Sequence, residues 1–391
     1  MQAPRIVIIG AGLGGLTCAR ILQRHGITVS VFERETGPDV RNQGGTLDLR
    51  ADSGQIALRE AGLLDDFFRL ARSEGQEMRQ LDPAGRTLFH HIPEAGDRYK
   101  PEIDRGVLRD LLLHSLEPGT VRWGHTVCDI DGPDTGPRRV RFADDSAVEA
   151  DLVIGADGAW SAVRRAVSEA VPRYSGVSFL EAWFHDVENR HPDVAELVGA
   201  GSAAAADGER GLFAQRNGGG HIRVYIIQRV AVDWIAAAGL SVAETDRLRA
   251  LLLTRYRDWA PNLRRLLTDN DGPYIDRPIH ALPVPHTWTH SPSVTLLGDA
   301  AHLMPPLGVG VNLAMLDACD LALALTRGVS VDAAVRAYEA TMSPRATAMQ
   351  QLLDGAADHL LSTELPDFAG AERPPGSTDD RAFEEHPHVT H

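Results

Sequence analysis

The sequence predicts an α/β protein in which a parallel sheet is interrupted by a second, mostly antiparallel β-sheet unit and followed by a C-terminal helix. Three observations carry this reading. A strand, a glycine-rich turn, a helix and a second strand run without a break from Arg5 to Glu33, RIVIIGAGLGGLTCARILQRHGITVSVFE. Two more short apolar strands, within 150–155 and 294–297, run into glycine-bearing acidic turns. Between these stretches lie alternating segments that do not belong to a doubly wound sheet, so the second unit is inserted in the first. The nucleotide-binding part is therefore expected to be Rossmann-like.

The first unit sets the argument. Arg5 to Ile9 is too short for a free helix and fits a strand buried on both faces. Gly10, Gly12 and Gly15 then follow the spacing G-x-G-x-x-G. The first glycine permits a tight turn, the second lets a pyrophosphate approach the backbone, and the third lets helix and strand touch. Gly15, Cys18, Ala19 and Leu22 give the helix a face of small residues, and Gly26 stops it. A strand from Thr28 to Phe32 delivers Glu33, 21 residues after Gly12, where an acid can accept from ribose hydroxyls. The helix N-terminus would hold the pyrophosphate.

Composition bounds the alternatives. The chain has 391 residues, 43% hydrophobic and 24% charged, which suits a globular protein of two or three units. No apolar stretch reaches the roughly 18 to 20 residues of a membrane span, and no basic leader precedes the first strand. A net charge of -15 argues against nucleic acid and anionic lipid as partners. Cys18, Cys128 and Cys319 are far apart and odd in number, so no disulfide framework is expected and a cytoplasmic location is.

The rest of the chain follows in order. Arg41 to Leu49, RNQGGTLDL, is a glycine-bearing loop that leads into a short strand and a helix from about Ser53 to Gly62. Glu77 to Asp82 and Arg86 to Ile92 flank Pro83-Ala84-Gly85 as a hairpin. Arg105 opens a helix carrying Leu108, Leu111 and Leu112 on one side. A cation is disfavoured there by the helix dipole, which points to an anionic ligand or to a merely solvated arginine. Strands are expected around Val121, Val127 and Val140. Ala150 to Arg164, ADLVIGADGAWSAVR, reads as strand, turn at Asp157-Gly158, and a helix starting with Ser161. A leucine-rich helix is expected from Leu248 to about Leu267. In GDAAHLMPPLGVGVN, Asp299 is expected to end its strand, and Gly308 and Gly310 bring amides to the start of a helix that reaches about Thr326. A final helix carries Val331, Ala334, Val335 and Tyr338 on one face. The division expected is 1–75, 101–172 and 291–327 for nucleotide binding, 76–100 and 173–290 for substrate, 328–362 for the C-terminal helix, and 363–391 as a disordered tail.

With these stretches in hand, the chain resembles the single-component FAD-dependent aromatic hydroxylases, the class that includes para-hydroxybenzoate hydroxylase. Three separated blocks match: the fingerprint ending in Glu33, DGAWSAVR from Asp157 to Arg164 against the family's DGxxSxVR, and GDAAHLMPP from Gly298 to Pro306. GGTLDL at Gly44 to Leu49 and PEIDR at Pro101 to Arg105 look most like the tetracycline-inactivating flavin monooxygenases and their relatives. The resemblance implies FAD lying extended across the parallel sheet, with Gly10, Gly12 and Gly15 at the first turn. Glu33 would take the adenosine ribose, Arg105 and Asp299 the pyrophosphate and ribityl region, and Asp48 would lie by the flavin. Arg41 would be a contact for the nicotinamide donor, Asp157 would serve both FAD and NAD(P)H, and Arg34, Gly310 and Asn312 complete the cofactor-binding set. One departure stands out. The family has P-P-x-G-x-x-G-x-N after the aspartate, and here PLGVGVN, Pro306 to Asn312, is one residue shorter.

The function implied is an FAD monooxygenase using NADPH or NADH and O2 to hydroxylate an aromatic or polyketide-type molecule through a flavin C4a-hydroperoxide. The cofactor carries the chemistry, so no catalytic acid or base is named. Along the strand His221 to Gln228, His221, Arg223 and Tyr225 share one face. That face would hold a phenolate or enolate, or it would simply face solvent. His302 is expected to be a packed histidine, and the histidines at 90, 91, 386, 388 and 391 lack metal-ligand spacing. An FAD dehydrogenase or reductase without oxygen transfer, and a non-catalytic FAD-binding protein, are the alternatives; a monomer or weak homodimer is expected.

Overall fold

The computed structural model describes residues 3–40, 44–133, 136–353 and 361. Five parallel strands form the sheet on which the first glycine turn rests. Ile6–Ile9 lies at its centre, with Leu152–Gly155 and then Val294–Leu296 on one side, Val29–Glu33 and then Val121–Trp123 on the other. The register pairs Ile8 with Ile154 and with Val31, all three fully buried. That is why these runs are apolar at every position rather than at alternate ones. Segments far apart in sequence thus end at one edge of one sheet.

Two helices lock that edge. Leu13–Arg24 follows the first strand, and Gly310–Thr326 packs across it. A Cβ on Gly14 would lie 2.8 Å from Leu297 Cδ1 and 3.1 Å from the Ala314 carbonyl oxygen, so only a glycine admits the second helix this closely. The C-terminal helix Val331–Leu352 is tied back by the Tyr338 hydroxyl, which donates to the Leu296 carbonyl at 2.8 Å. Among the described residues no helix is long and apolar enough to cross a membrane.

The second sheet has seven strands in the order Ile275–Ala281, Arg173–Phe184, His221–Arg229, Arg210–Asn217, Ser202–Ala206, Met78–Leu81 and Thr87–His91. All its pairings are antiparallel except that between Ser202–Ala206 and Met78–Leu81. The hairpin around Pro83-Ala84-Gly85 therefore extends the sheet built by residues 173 to 281. One face is apolar: Leu180, Ala182, Phe184, Leu212, Ala214, Ile222, Val224 and Ile226 pack on Leu248, Leu252, Tyr256 and Leu263.

Several expectations need correction. The leucine-rich helix is two helices, Thr245–Arg255 and Pro261–Thr268, because Pro261 has no N–H to continue the first and starts the second instead. The helix expected at Ser161 is only a 3-10 turn, Val163–Ala166. Asp299 does not end its strand; it opens a one-turn helix, Asp299–His302, after Gly298 takes φ +59°. Of the three short strands, Val121–Trp123 joins the parallel sheet, whereas Val127–Asp131 and Arg138–Phe142 pair with Ala147–Ala150 in a separate antiparallel sheet. The expected tail, 363–391, and part of the final helix lie outside the described residues.

Candidate active site

The glycines of the first turn divide their work as their spacing requires. Gly10 has φ +109°, and a Cβ there would lie 2.3 Å from the Ala156 carbonyl oxygen. A Cβ on Gly15 would lie 2.1 Å from the Gly10 carbonyl oxygen. Both are therefore packing glycines, one holding the turn against the DGAWSAVR block and the other holding helix to turn. Gly12 differs: a Cβ there meets nothing within 4 Å. No protein atom explains its glycine, and the open space at this helix N-terminus fits an anionic group lying against the backbone.

Glu33 is buried at the end of its strand, where its carboxylate accepts from the Ala11 N–H at 2.7 Å and the Glu35 N–H at 3.0 Å. Its remaining lone pairs suit ribose hydroxyls. Arg34 is exposed beside it. Arg109, which the sequence reading passed over, is buried and clasps the same turn, donating to the carbonyls of Ala11 (3.1 Å) and Pro38 (2.9 Å) and to Glu35 (2.9 Å). Its position four residues after Arg105, one helical turn further on the same side, was the available signal.

The middle block is held from within. Asp157 accepts from the Ser161 hydroxyl at 2.5 Å and from the backbone N–H groups of Ala162 (2.7 Å) and Val163 (3.2 Å). Burial nonetheless outweighs these bonds and raises its carboxyl above the ordinary range. In this arrangement Asp157 shapes its own turn. Arg164, itself buried, donates to the carbonyls of Ala159 (2.7 Å), Ala170 (3.2 Å) and Ala300 (3.1 Å), and so fastens DGAWSAVR to GDAAH. Asp299 stays exposed at the start of its helical turn, facing Gly310: a Cβ on Gly310 would lie 3.9 Å from Asp299 Oδ1.

The shortened PLGVGVN turn still reaches its target. The Asn312 amide donates to the Asp48 carbonyl at 3.0 Å, and its oxygen accepts from the N–H groups of Arg50 (2.9 Å) and Gly54 (3.2 Å). Asn312 thus positions the Asp48 loop. Gly310 begins the helix, whose positive end is directed at the same region. Arg105 is half-buried at the start of Arg105–His114, and its N–H donates to the Gly45 carbonyl at 3.0 Å. Arg41 lies outside the described residues.

His221, Arg223 and Tyr225 do share a face, and that face is not solvent-exposed. The GGTLDL loop covers it: a Cβ on Gly45 would lie 2.8 Å from Arg223 Nη1 and 3.1 Å from Asn217 Oδ1. Arg223 is 7% exposed and donates to Glu181 Oε2 at 2.5 Å. Glu181 also accepts from Trp183 Nε1 at 2.7 Å and pairs with Arg277. Arg223 Nε is a buried donor with no partner among the described residues. Its guanidinium lies 4.4 Å from the Tyr225 ring centroid, and burial pushes the Tyr225 phenol up. His221 is turned aside, with its Nδ1 3.1 Å from that of His185. Glu181 and Arg277 had no local signal, since they reach Arg223 only through pairing of distant strands. His302 is buried as expected and meets Asp317 at 2.5 Å.

A family profile described as "FAD binding domain" matches residues 4–243 and 283–354. The chain belongs to this family. The protein is an FAD-dependent monooxygenase, and NAD(P)H is the family's usual reductant. Monooxygenase penA of Penicillium thymicola is 32% identical over 89% of this chain and 93% of that protein. Among solved structures, Klebsiella pneumoniae HpxO complexed with FAD and uric acid superposes with a TM-score of 0.76 at 23% identity, covering 92% of this chain and 89% of that one. The tetracycline destructase Tet(55) gives 0.72 at 21% identity, covering 94% and 93%. These two likenesses concern the fold. The residues of this flavoprotein fit its cofactor: the open space at Gly12 admits an anionic group, Glu33 retains acceptor capacity, and Asp299 stands exposed facing Gly310.

Proposed function

We propose that this monooxygenase hydroxylates an aromatic or polyketide-type small molecule bound as a phenolate or enolate at the polar face of the seven-stranded sheet, beside Arg223 where the GGTLDL loop packs on it. When bound, FAD reduced by NAD(P)H activates O2, so that one oxygen atom enters the substrate and the other leaves as water. The chain's own groups bind, orient and exclude water. The single observation carrying the substrate class is the buried Arg223–Glu181 pair with the exposed Arg277 closing on the same carboxylate, two cations around one carboxylate. Its net positive charge and the unpartnered Arg223 Nε favour one anionic oxygen, which is also the ionisation that makes a ring or enol electron-rich.

In this reading Glu33 and Arg34 serve the adenosine end, Gly12, Arg105 and Asp299 the pyrophosphate and ribityl chain, and the helix starting at Gly310 the pyrimidine edge of the ring. Asn312 and Asp157 act by holding loops, and Arg41 remains the proposed nicotinamide contact. The free thiols of Cys18, Cys128 and Cys319 suit a cytoplasmic protein, working as a monomer or weak homodimer.

The test is NAD(P)H consumption and oxygen-18 incorporation from O2 across phenols, anthraquinones and tetracyclines. Arg223→Ala is expected to raise KM for an anionic substrate while FAD content stays the same. Unchanged kinetics would remove the anion site, and NAD(P)H oxidation without labelled product would favour a reductase.

A further inference from the structure

The antiparallel ribbon formed by Thr46–Asp48 and Glu102–Asp104 sets Asp48 directly across from Glu102. Opposed residues in such a pair have Cα atoms about 4.5–5.5 Å apart, so their two carboxyls occupy one small space. Leu47 and Ile103, also opposed, point the other way, with Ile103 in the core. Among the described residues neither Asp48 nor Glu102 has an ion-pair partner within reach. Arg72, on the element packed against Glu102, is engaged by Asp104 (2.8 Å) and the Thr46 hydroxyl (3.0 Å). Thr46 in turn donates to Glu102 at 2.9 Å. Lys100 and Arg50 add positive potential nearby and Asp52 adds negative.

The ribbon stands between the polar face of the seven-stranded sheet and the turn that precedes the Gly310 helix. Gly45, just before the ribbon, packs against Arg223, and at its other end Asp48 Oδ1 lies 3.8 Å from where a Cβ on Gly308 would be, in the turn before the Gly310 helix. Both residues are partly buried and keep some surface open. Two carboxylates so placed cannot both ionise without a large cost. Burial raises the Asp48 carboxyl, with Lys100 and Arg50 opposing it. Burial and then the Asp48 charge push Glu102 up to about 8.

We propose that Asp48 and Glu102 store one proton between them and supply it to the oxygen chemistry, Glu102 holding it at rest and Asp48 remaining ionised and facing the cofactor. The overall reaction needs that proton: substrate–H, O2, NAD(P)H and H+ give substrate–OH, NAD(P)+ and H2O. The two electrons come from NAD(P)H. The Glu102 O–H bond breaks, Asp48 relays the proton, an O–H bond forms on the oxygen that leaves as water, and Glu102 regains a proton from solvent. This role rests on the monooxygenase reading, but storage of the proton is measurable without turnover.

Infrared difference spectroscopy of the FAD-loaded enzyme between pH 6 and pH 10, with no substrate, reads the stored proton directly. One carboxylic acid carbonyl band is expected to vanish with a midpoint near 8. Glu102→Gln abolishes that transition, and Asp48→Asn lowers its midpoint by about one pH unit, because the neighbouring negative charge is gone. In turnover Glu102→Gln lowers kcat about 100-fold with KM for the aromatic substrate unchanged. A wild-type spectrum with no titrating carboxyl in this range overturns the storage, and a transition that survives in Glu102→Gln overturns the assignment. A transition present in wild type but a normal kcat in Glu102→Gln overturns the role as proton source. Failure of the wild type to incorporate labelled oxygen would instead count against the monooxygenase reading and leave the infrared result standing.

Discussion

Arg223 and Glu181 meet at 2.5 Å across neighbouring strands, buried beneath the glycine loop of the nucleotide-binding part. Burial alone would raise the Glu181 carboxyl, but Arg223 and Arg277 outweigh it and hold it below its usual range. A depressed folded-state value contributes stability above the unfolded carboxylate value, about 4.3, and that contribution is lost as pH falls through the folded value. Glu181→Gln is expected to cost about 3 kcal/mol in urea unfolding at pH 7, because it leaves Arg223 buried without its counter-charge. It should also flatten the loss of stability below about pH 4 and tighten binding of a phenolate competitor, measured by titration calorimetry.

Gly12 and Gly15 are one helical turn apart and should behave differently. A methyl on Gly12 enters open space, so Gly12→Ala is expected to leave the melting temperature of the FAD-free protein unchanged while weakening FAD binding at least about tenfold, near 1.4 kcal/mol. A methyl on Gly15 runs into the Gly10 carbonyl, so Gly15→Ala should destabilise the protein by about 2 kcal/mol or more even without FAD. Fluorescence titration of FAD and thermal unfolding of both variants separate the two.

His302, Asp317 and Arg345 join the GDAAH block to the last two helices. Asp317 Oδ2 meets His302 Nε2 at 2.5 Å and accepts from the Gly298 N–H at 3.1 Å, and its Oδ1 accepts from Arg345 at 2.8 Å. Burial opposes charge on both His302 and Asp317, yet their attraction wins, raising the imidazole and lowering the carboxyl. The pair's contribution is therefore full between the unfolded values of about 4 and 6.5. It declines as pH falls through the lowered Asp317 value and as pH rises through the raised His302 value. Asp317→Asn should cost about 3–5 kcal/mol near pH 6 and remove both flanks from the stability profile.

Arg164 ties two of the three cofactor blocks through backbone carbonyls. Arg164→Met keeps its apolar stem but none of those bonds, so the Asp157 turn and the Asp299 turn are free to separate. FAD affinity should fall about tenfold or more, with far-ultraviolet circular dichroism unchanged.

The sequence by itself determined the nucleotide-binding frame. Gly10, Gly12, Gly15 and Glu33 lie within one continuous βαβ stretch, so strand period, turn and helix face are local properties that the chain order spells out. The same holds for the hairpin at Pro83-Ala84-Gly85 and for the helices ending at Gly62 and beginning at Gly310. Pro261 is local in the same way, since its missing N–H ends one helix and suits the first position of the next. Tertiary structure alone decided what faces what. Whether the His221 to Tyr225 face met water or the GGTLDL loop depended on how the sheet lies on the nucleotide-binding part, and alternation along one strand carries no information about the layer above it. Glu181 acquires its meaning from Arg223, 42 residues away, and Arg277 from Glu181, 96 residues away. Glu102 acquires its own from Asp48, on the opposite strand of its ribbon. The physical reason is that backbone preference acts over a few residues, whereas the charge, burial and proton affinity of a side chain are set by whatever the fold brings within a few ångströms of it.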